Sequence, residues 1–324
     1  MWKYITKEQI NEFLLSLNLL EDKLSDKEKL TKLYSISNNI ENNYKVFKIK
    51  KRNGKFRTIY EPNYTLKSIQ RKILNNILNN KSISKYAKAY KKGIGLKDNA
   101  KEHLNKHIIL KLDIKDFFEN INFFDIYNSC FSIEYFPKEI GMLLTYLCTY
   151  NNYLPQGSPT SSYISNLVMK EFDEYIGDYC DKNNISYTRY SDDLTFSGDF
   201  NPSSIIKMIR KELFKLGLKI NNDKTHIIKK GNRQIVTGIV VNEKIQISSQ
   251  YRKEIRKQIY YIKKYGIKSH LKFANKNISE IKYLNSLYGK INYVLQINEN
   301  DKEFIEYKYY INKLLKEKKS LTLF

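Results

Sequence analysis

The chain has 324 residues, 41% of them hydrophobic, and carries 57 Lys+Arg against 34 Asp+Glu for a formal net charge of +23. That length buries a substantial core, as one large domain or two to three smaller ones, and the basic excess implies an acidic partner, either nucleic acid or an anionic membrane surface. No apolar run is long enough to span a membrane, the first residues lack the apolar core of a secretion signal, and Cys130, Cys148 and Cys180 show no paired spacing, which leaves no disulfide framework or zinc site and predicts a cytoplasmic protein.

Two short helical patterns, around Ile10 to Leu20 and Leu30 to Ile40, carry no chemistry of their own. From Tyr44 two extended basic segments flank Asn53-Gly54, a strong hairpin signal because both residues tolerate positive φ. Leu66, Ile69, Ile73 and Ile77 then share one helical face. Ile108 to Ile114 reads as a buried strand running into a Phe117-Phe118 turn. After a mixed helical stretch and the segment Tyr153 to Ser162, one helix is predicted to turn Ile164, Leu167, Val168, Phe172, Tyr175 and Ile176 to one side.

Arg189 to Gly198 reads as two short β segments with Asp192 and Asp193 at the turn between them. A helix over Ile205 to Leu216 and a strand over Arg233 to Asn242 follow. From Tyr251 the pattern is helical, with Tyr251, Ile255, Ile259 and Ile262 facing one way. Between Ile245 and Phe324, Lys and Arg outnumber Asp and Glu 17 to 7. With no repeat or low-complexity linker, subdomains around one cleft are expected.

Two adjacent carboxylates among Tyr, Thr, Leu and Phe cost stability unless a cation lies beside them. A lone Asp at a strand end ordinarily caps a turn, and on its own Asp113 would be read that way. If Asp113 instead lies beside the Asp192-Asp193 turn, the three carboxylates form a hard oxygen site suited to Mg²⁺ or Mn²⁺ rather than zinc. Two such ions about 3.5 to 4 Å apart stabilise both the attacking and the leaving oxygen in phosphoryl transfer. His103 and His107, four apart, have no third ligand at zinc spacing.

Taken in order, these segments resemble the reverse transcriptases, and among them the bacterial retron type. Tyr190-Ser191-Asp192-Asp193 is similar to the family's Tyr-x-Asp-Asp box, and Leu112-Asp113-Ile114 with Phe117-Phe118 to the strand that supplies the third metal ligand. Leu154-Pro155-Gln156-Gly157 with Ser158 to Ser161 resembles the segment that packs against the incoming nucleotide and template, and Gly217-Leu218 through Asn221 with Lys224-Thr225 resembles the loop with its lysine that follows the Tyr-x-Asp-Asp box. Ser162 departs from a proline found in many relatives. Asn99-Ala100 with His103, and Val236-Thr237-Gly238, resemble two motifs associated with retron enzymes. The resemblance runs from roughly Tyr44 to the C-terminal end, and the ordered set is far more specific than any single motif.

The resemblance implies an α+β right-hand polymerase fold: an N-terminal helical segment (1–43), fingers (44–105), an antiparallel-sheet palm with the catalytic aspartates (106–243) and a basic helical thumb (244–324). It implies an RNA-directed DNA polymerase in which Asp113, Ile114, Asp192 and Asp193 contact two Mg²⁺ or Mn²⁺ ions and Lys224 assists the departing pyrophosphate. Lys51, Lys55 and Arg57 would close over the triphosphate, where arginine's planar fork suits phosphate oxygens. Phe118 would exclude a ribose 2′-OH, and Gln156 and Gly157 would position the nucleotide. Asn99, His103, Val236, Thr237, Gly238, Arg252 and Arg256 would meet RNA.

Its partners would be dNTPs, a cognate non-coding RNA serving as template and as primer through a guanosine 2′-OH, the branched RNA–DNA product, an effector protein of an anti-phage system, and a separate ribonuclease H. Two other readings stand beside this one: a nucleic-acid-binding scaffold that restrains an effector, and another bacterial reverse transcriptase such as an intron maturase.

Overall fold

The computed structural model describes residues 1–324 apart from Met1, Lys3, Asp22, Arg52, Asn53, Lys276 and residues 321–324, and apart from the side chains of Lys319 and Ser320. Helices and strands are both abundant, giving an α+β chain. It divides into two compact units, the first comprising Met1–Ile94, Leu110–Phe196 and Phe200–Ile227, the second Gly95–Ile109, Ser197–Asp199 and Ile228–Phe324.

In the first unit, helices Lys7–Ser16 and Asp26–Asn38 each begin with a reciprocal cap, Thr6 with Gln9 and Ser25 with Glu28, which satisfies two otherwise orphaned backbone donors per helix. Strands β1 (Tyr44–Lys50) and β2 (Phe56–Pro62) pair antiparallel from Tyr44↔Pro62 to Lys50↔Phe56. Of the two residues expected at their turn, Asn53 lies outside the described residues, and Gly54 has φ +82°. Helix Tyr64–Asn76, capped by Asn63, buries Leu66, Ile69 and Ile73 as their spacing predicts.

A four-stranded sheet has the order β4-β5-β3-β6, where β3 is Ile108–Asp113, β4 Ser186–Tyr190, β5 Asp193–Gly198 and β6 His226–Lys229. The predicted single helix after Ser162 is two helices, Ser161–Val168 and Lys170–Lys182, broken at Met169. The second buries Phe172, Ile176 and Cys180, and Tyr175 falls off that i, i+4 stripe and is 56% exposed rather than core.

In the second unit the segment predicted as one strand from Arg233 to Asn242 is a hairpin. Strands β7 (Ile235–Val236) and β8 (Ile239–Val240) pair antiparallel, and β9 (Gln246–Ile247) adds to β8. Thr237 (φ +46°) and Gly238 (φ +84°) form the reversal; positive φ at both central residues is what a two-residue hairpin turn requires. Helices Ser249–Tyr265, Ile267–Phe273, Glu280–Ile297 and Lys302–Ser320 complete the unit. Ile255, Ile259 and Ile262 pack with Leu287, Ile291, Phe304 and Ile311 in its core. Among the described residues no helix is long and apolar enough to cross a membrane.

Candidate active site

Only Ser191 and Asp192 connect β4 to β5, so these strands form a tight hairpin, and Ser191 sits at φ +62°. Beside it β3 ends in Asp113. The Ile114 N–H donates to the Asp192 carbonyl at 2.9 Å, while on the opposite side the Asn221 N–H reaches the Asp113 carbonyl at 2.7 Å and the Lys115 N–H the Lys219 carbonyl at 2.8 Å. This alternation turns the Ile114 backbone toward the Asp192 turn. Its side chain is core, 1% exposed, so only its carbonyl can serve a metal. Asp113, Ile114, Asp192 and Asp193 are thereby brought together from two chain segments.

Burial, and next the charge of Asp113, push the Asp192 carboxyl above the usual carboxylate range, against the opposing pull of Lys224 and Arg57. Burial, then Asp192, do the same to Asp193, with Lys111 the leading cation against them. Lys224 ends a short turn, Asn222–Lys224, and its ammonium donates to both oxygens of Asp113, at 2.9 Å to Oδ2. Partial burial depresses that ammonium, yet the hydrogen bond and the three aspartate charges outweigh it and the net shift is upward.

Among the described residues no group of three or more His, Cys, Asp or Glu side chains is arranged to hold a metal ion. Lys224 is the counter-ion of Asp113 in this structure. The donor chemistry nevertheless fits a hard divalent cation: the groups are all oxygen donors, and the burial and repulsion that raise both carboxyls are what such a cation offsets.

Arg57 opposes Ile49 across the β1–β2 ladder, and its side chain is exposed, as are Lys51 and Lys55 near the turn. The Tyr60 N–H of β2 donates to the Gln156 carbonyl at 2.8 Å. Gly157 adopts φ +125°, and a Cβ there would lie 2.7 Å from the Tyr60 carbonyl. The close approach glycine permits at this position is thus to β2. Phe117 is core and Phe118 half-buried, with ring centroids 5.4 Å apart.

Residues 49–284 match the family model described as "Reverse transcriptase (RNA-dependent DNA polymerase)". The chain is 34% identical to the Retron Ec86 reverse transcriptase of Escherichia coli over 226 residues, 68% of this chain and 70% of that protein. It is 31% identical to the Retron Ec83 reverse transcriptase of the same species over 284 residues, 82% and 86% of the two chains. The chain belongs to the retron-type reverse transcriptases. It is an RNA-directed DNA polymerase.

In this reverse transcriptase the residues expected to meet RNA fall into three groups. Asn99, His103 and Val236 are fully buried, which corrects their assignment to direct RNA contact. The Asn99 amide donates to the Thr237 hydroxyl at 3.3 Å, and His103 Nδ1 lies 2.7 Å from the Ser197 hydroxyl. Asn99 thus braces the β7–β8 turn and His103 is tied to β5, and Thr237 and Gly238 are the ones with surface to offer. Arg252 and Arg256 are partly exposed and paired within the unit: Arg252 with Asp301, and Arg256 through two 2.6 Å bonds to Glu303. These pairs tie helix Ser249–Tyr265 to the start of helix Lys302–Ser320.

Sequence reasoning missed Arg189 and Asp173, both 0% exposed and paired below the Ser191-Asp192 turn, and Tyr90, whose hydroxyl lies 3.2 Å from that of Ser191. An arginine in Tyr-Thr-Arg-Tyr and an aspartate in a helix give no sign of each other in one dimension.

Proposed function

We propose that this enzyme copies a cognate non-coding RNA into single-stranded DNA that stays joined to the RNA as a branched product, and that it serves an anti-phage system. The observation that carries the chemistry is the juxtaposition of Asp113 with the Asp192-Asp193 turn. The named relatives are retron enzymes, and that kinship supports the RNA-linked product.

In this reading Asp113, Asp192, Asp193 and the Ile114 carbonyl hold divalent cations, Mg²⁺ or Mn²⁺. Two ions bound there would supply the positive charge that acidifies the primer hydroxyl and neutralises the leaving pyrophosphate. The protein's own groups do the rest. Lys224 leaves Asp113 and turns its ammonium to the departing phosphates, Arg57 with Lys51 and Lys55 grips the triphosphate, and Phe118 bars a 2′-OH from the sugar site. Gln156 and Gly157 tie the segment beneath the nucleotide to β2. Thr237 and Gly238 select the cognate RNA. The β1–β2 hairpin is the fingers element, the strand cluster around Asp113 the palm, and the helices after Ser248 the thumb. An effector protein completes the defence, and RNA removal falls to a separate ribonuclease H.

The test is to purify the protein with its nucleic acid and sequence what is bound, beside an Asp192→Asn/Asp193→Asn variant. DNA joined to one RNA species through a 2′-linked branch, absent from the variant, is the expected result. Bound RNA without DNA in both proteins, with phage defence intact in both, would replace this reading with that of a scaffold.

A further inference from the structure

The helix Lys170–Lys182 places Asp173 beneath the β4–β5 turn, and Arg189 of β4 meets it with neither side chain exposed. Arg189 Nε donates to Asp173 Oδ1 at 2.8 Å and Nη2 to Oδ2 at 2.6 Å, while the Tyr187 hydroxyl adds 2.8 Å to Oδ1. The remaining arm of the fork leaves the pair: Nη1 donates to the Ser191 carbonyl at 3.0 Å. Ser191 is the residue at φ +62° immediately before Asp192, a conformation a serine keeps only where its surroundings impose it. The Arg189 backbone is held as well, its N–H by the Tyr86 carbonyl at 2.9 Å and its carbonyl by the Lys88 N–H at 2.8 Å. Tyr86 can pack here because Gly177 of the same helix has no Cβ, which would lie 2.0 Å from the Tyr86 ring.

We infer that Asp173 and Arg189 are positioning residues for polymerisation: the helix fixes the guanidinium, and the guanidinium fixes the Ser191 carbonyl and so the direction in which Asp192 and Asp193 present their carboxylates. A buried ion pair is weak evidence for stability alone, since apolar replacements of similar volume are often as stable. A planar fork that bonds a carboxylate with one edge and a strained turn with the other does what an apolar pair cannot.

This inference rests on the reading that Asp192 and Asp193 carry catalysis. Arg189→Lys keeps a charge for Asp173 and loses the arm to Ser191. On a primed RNA template its kcat should fall on the order of 10- to 100-fold, with KM for dNTP little changed and a higher Mg²⁺ concentration needed for half-maximal rate. Independently of activity, hydrogen exchange at the Ile114 amide, which is bonded to the Asp192 carbonyl, should speed up while the rest of β3 stays protected. Should Arg189→Lys fail to fold, Asp173→Leu/Arg189→Met removes the buried charges together and is read identically. A folded variant with wild-type kcat, Mg²⁺ midpoint and Ile114 protection overturns the inference. Full activity in Asp192→Asn would instead overturn the catalytic assignment beneath it.

Discussion

The Lys224 ammonium bonds both carboxylate oxygens of Asp113, joining a lysine side chain 56% exposed to an aspartate side chain 5% exposed. The cation paired with Asp113 is therefore supplied by an exposed residue at the rim of the site. In the proposed function a lysine so exposed would yield Asp113 to a metal cation without unfolding the site.

Lys224→Met should lower stability in metal-free buffer, by about 1 kcal/mol or less because the lysine is solvent-screened. Millimolar Mg²⁺ should restore most of that loss. Thermal unfolding midpoints with Mg²⁺ and with chelator test this, and the gain on adding Mg²⁺ should be larger in the variant than in the wild type.

Asp192 and Asp193 carry a proton linkage of their own. Their folded-state pKa values are raised by burial first and by neighbouring carboxylates next, so between the ordinary aspartate value near 4 and the folded value the native state holds protons that the unfolded chain has released. Stability must fall as pH rises through that window. Asp192→Asn removes one such charge and should raise the metal-free unfolding midpoint at pH 7 by roughly a few degrees while abolishing polymerisation. Unfolding scans from pH 4 to pH 8 should show a flatter profile for the variant.

Gly157→Ala drives a Cβ to 2.7 Å from the Tyr60 carbonyl and strains a φ of +125°. The cost should be about 1 to 3 kcal/mol, with loosening of the Tyr60 to Gln156 bond. Urea unfolding reads the stability, and steady-state kinetics should show a higher KM for dNTP.

Phe118→Ala removes the half-buried ring while leaving Phe117 in the core. Preference for dNTP over rNTP, taken as the ratio of kcat/KM values, should fall at least about 10-fold, with overall stability little changed. A variant equally strict against ribonucleotides would remove Phe118 from the gate.

The paired strands β1 and β2 and the hairpin bearing Asp192 were legible because alternating side chains and Gly or Asp at a turn are local signals. The β7–β8 hairpin was not, because Thr237 is β-branched and gives no warning of φ +46°. The partners of Arg252 and Arg256 lie 49 and 47 residues away, so their helix read as free positive charge. Tyr175 was misplaced because it lies one position off the i, i+4 stripe that runs through Ile164, Val168, Phe172, Ile176 and Cys180. The convergence of Asp113 with the Asp192 turn spans two distant segments and was inferred only from the combination of motifs. The Asp173–Arg189 pair had no motif to announce it.

The most direct measurement of the central claim is extension of a primed RNA template with dNTPs by the purified protein, comparing wild type with Asp113→Asn and with Asp192→Asn/Asp193→Asn. The account predicts DNA synthesis by the wild type with Mg²⁺, none with chelator, and a loss on the order of 10³-fold in either variant that still folds. Extension at the wild-type rate by a folded variant would contradict it.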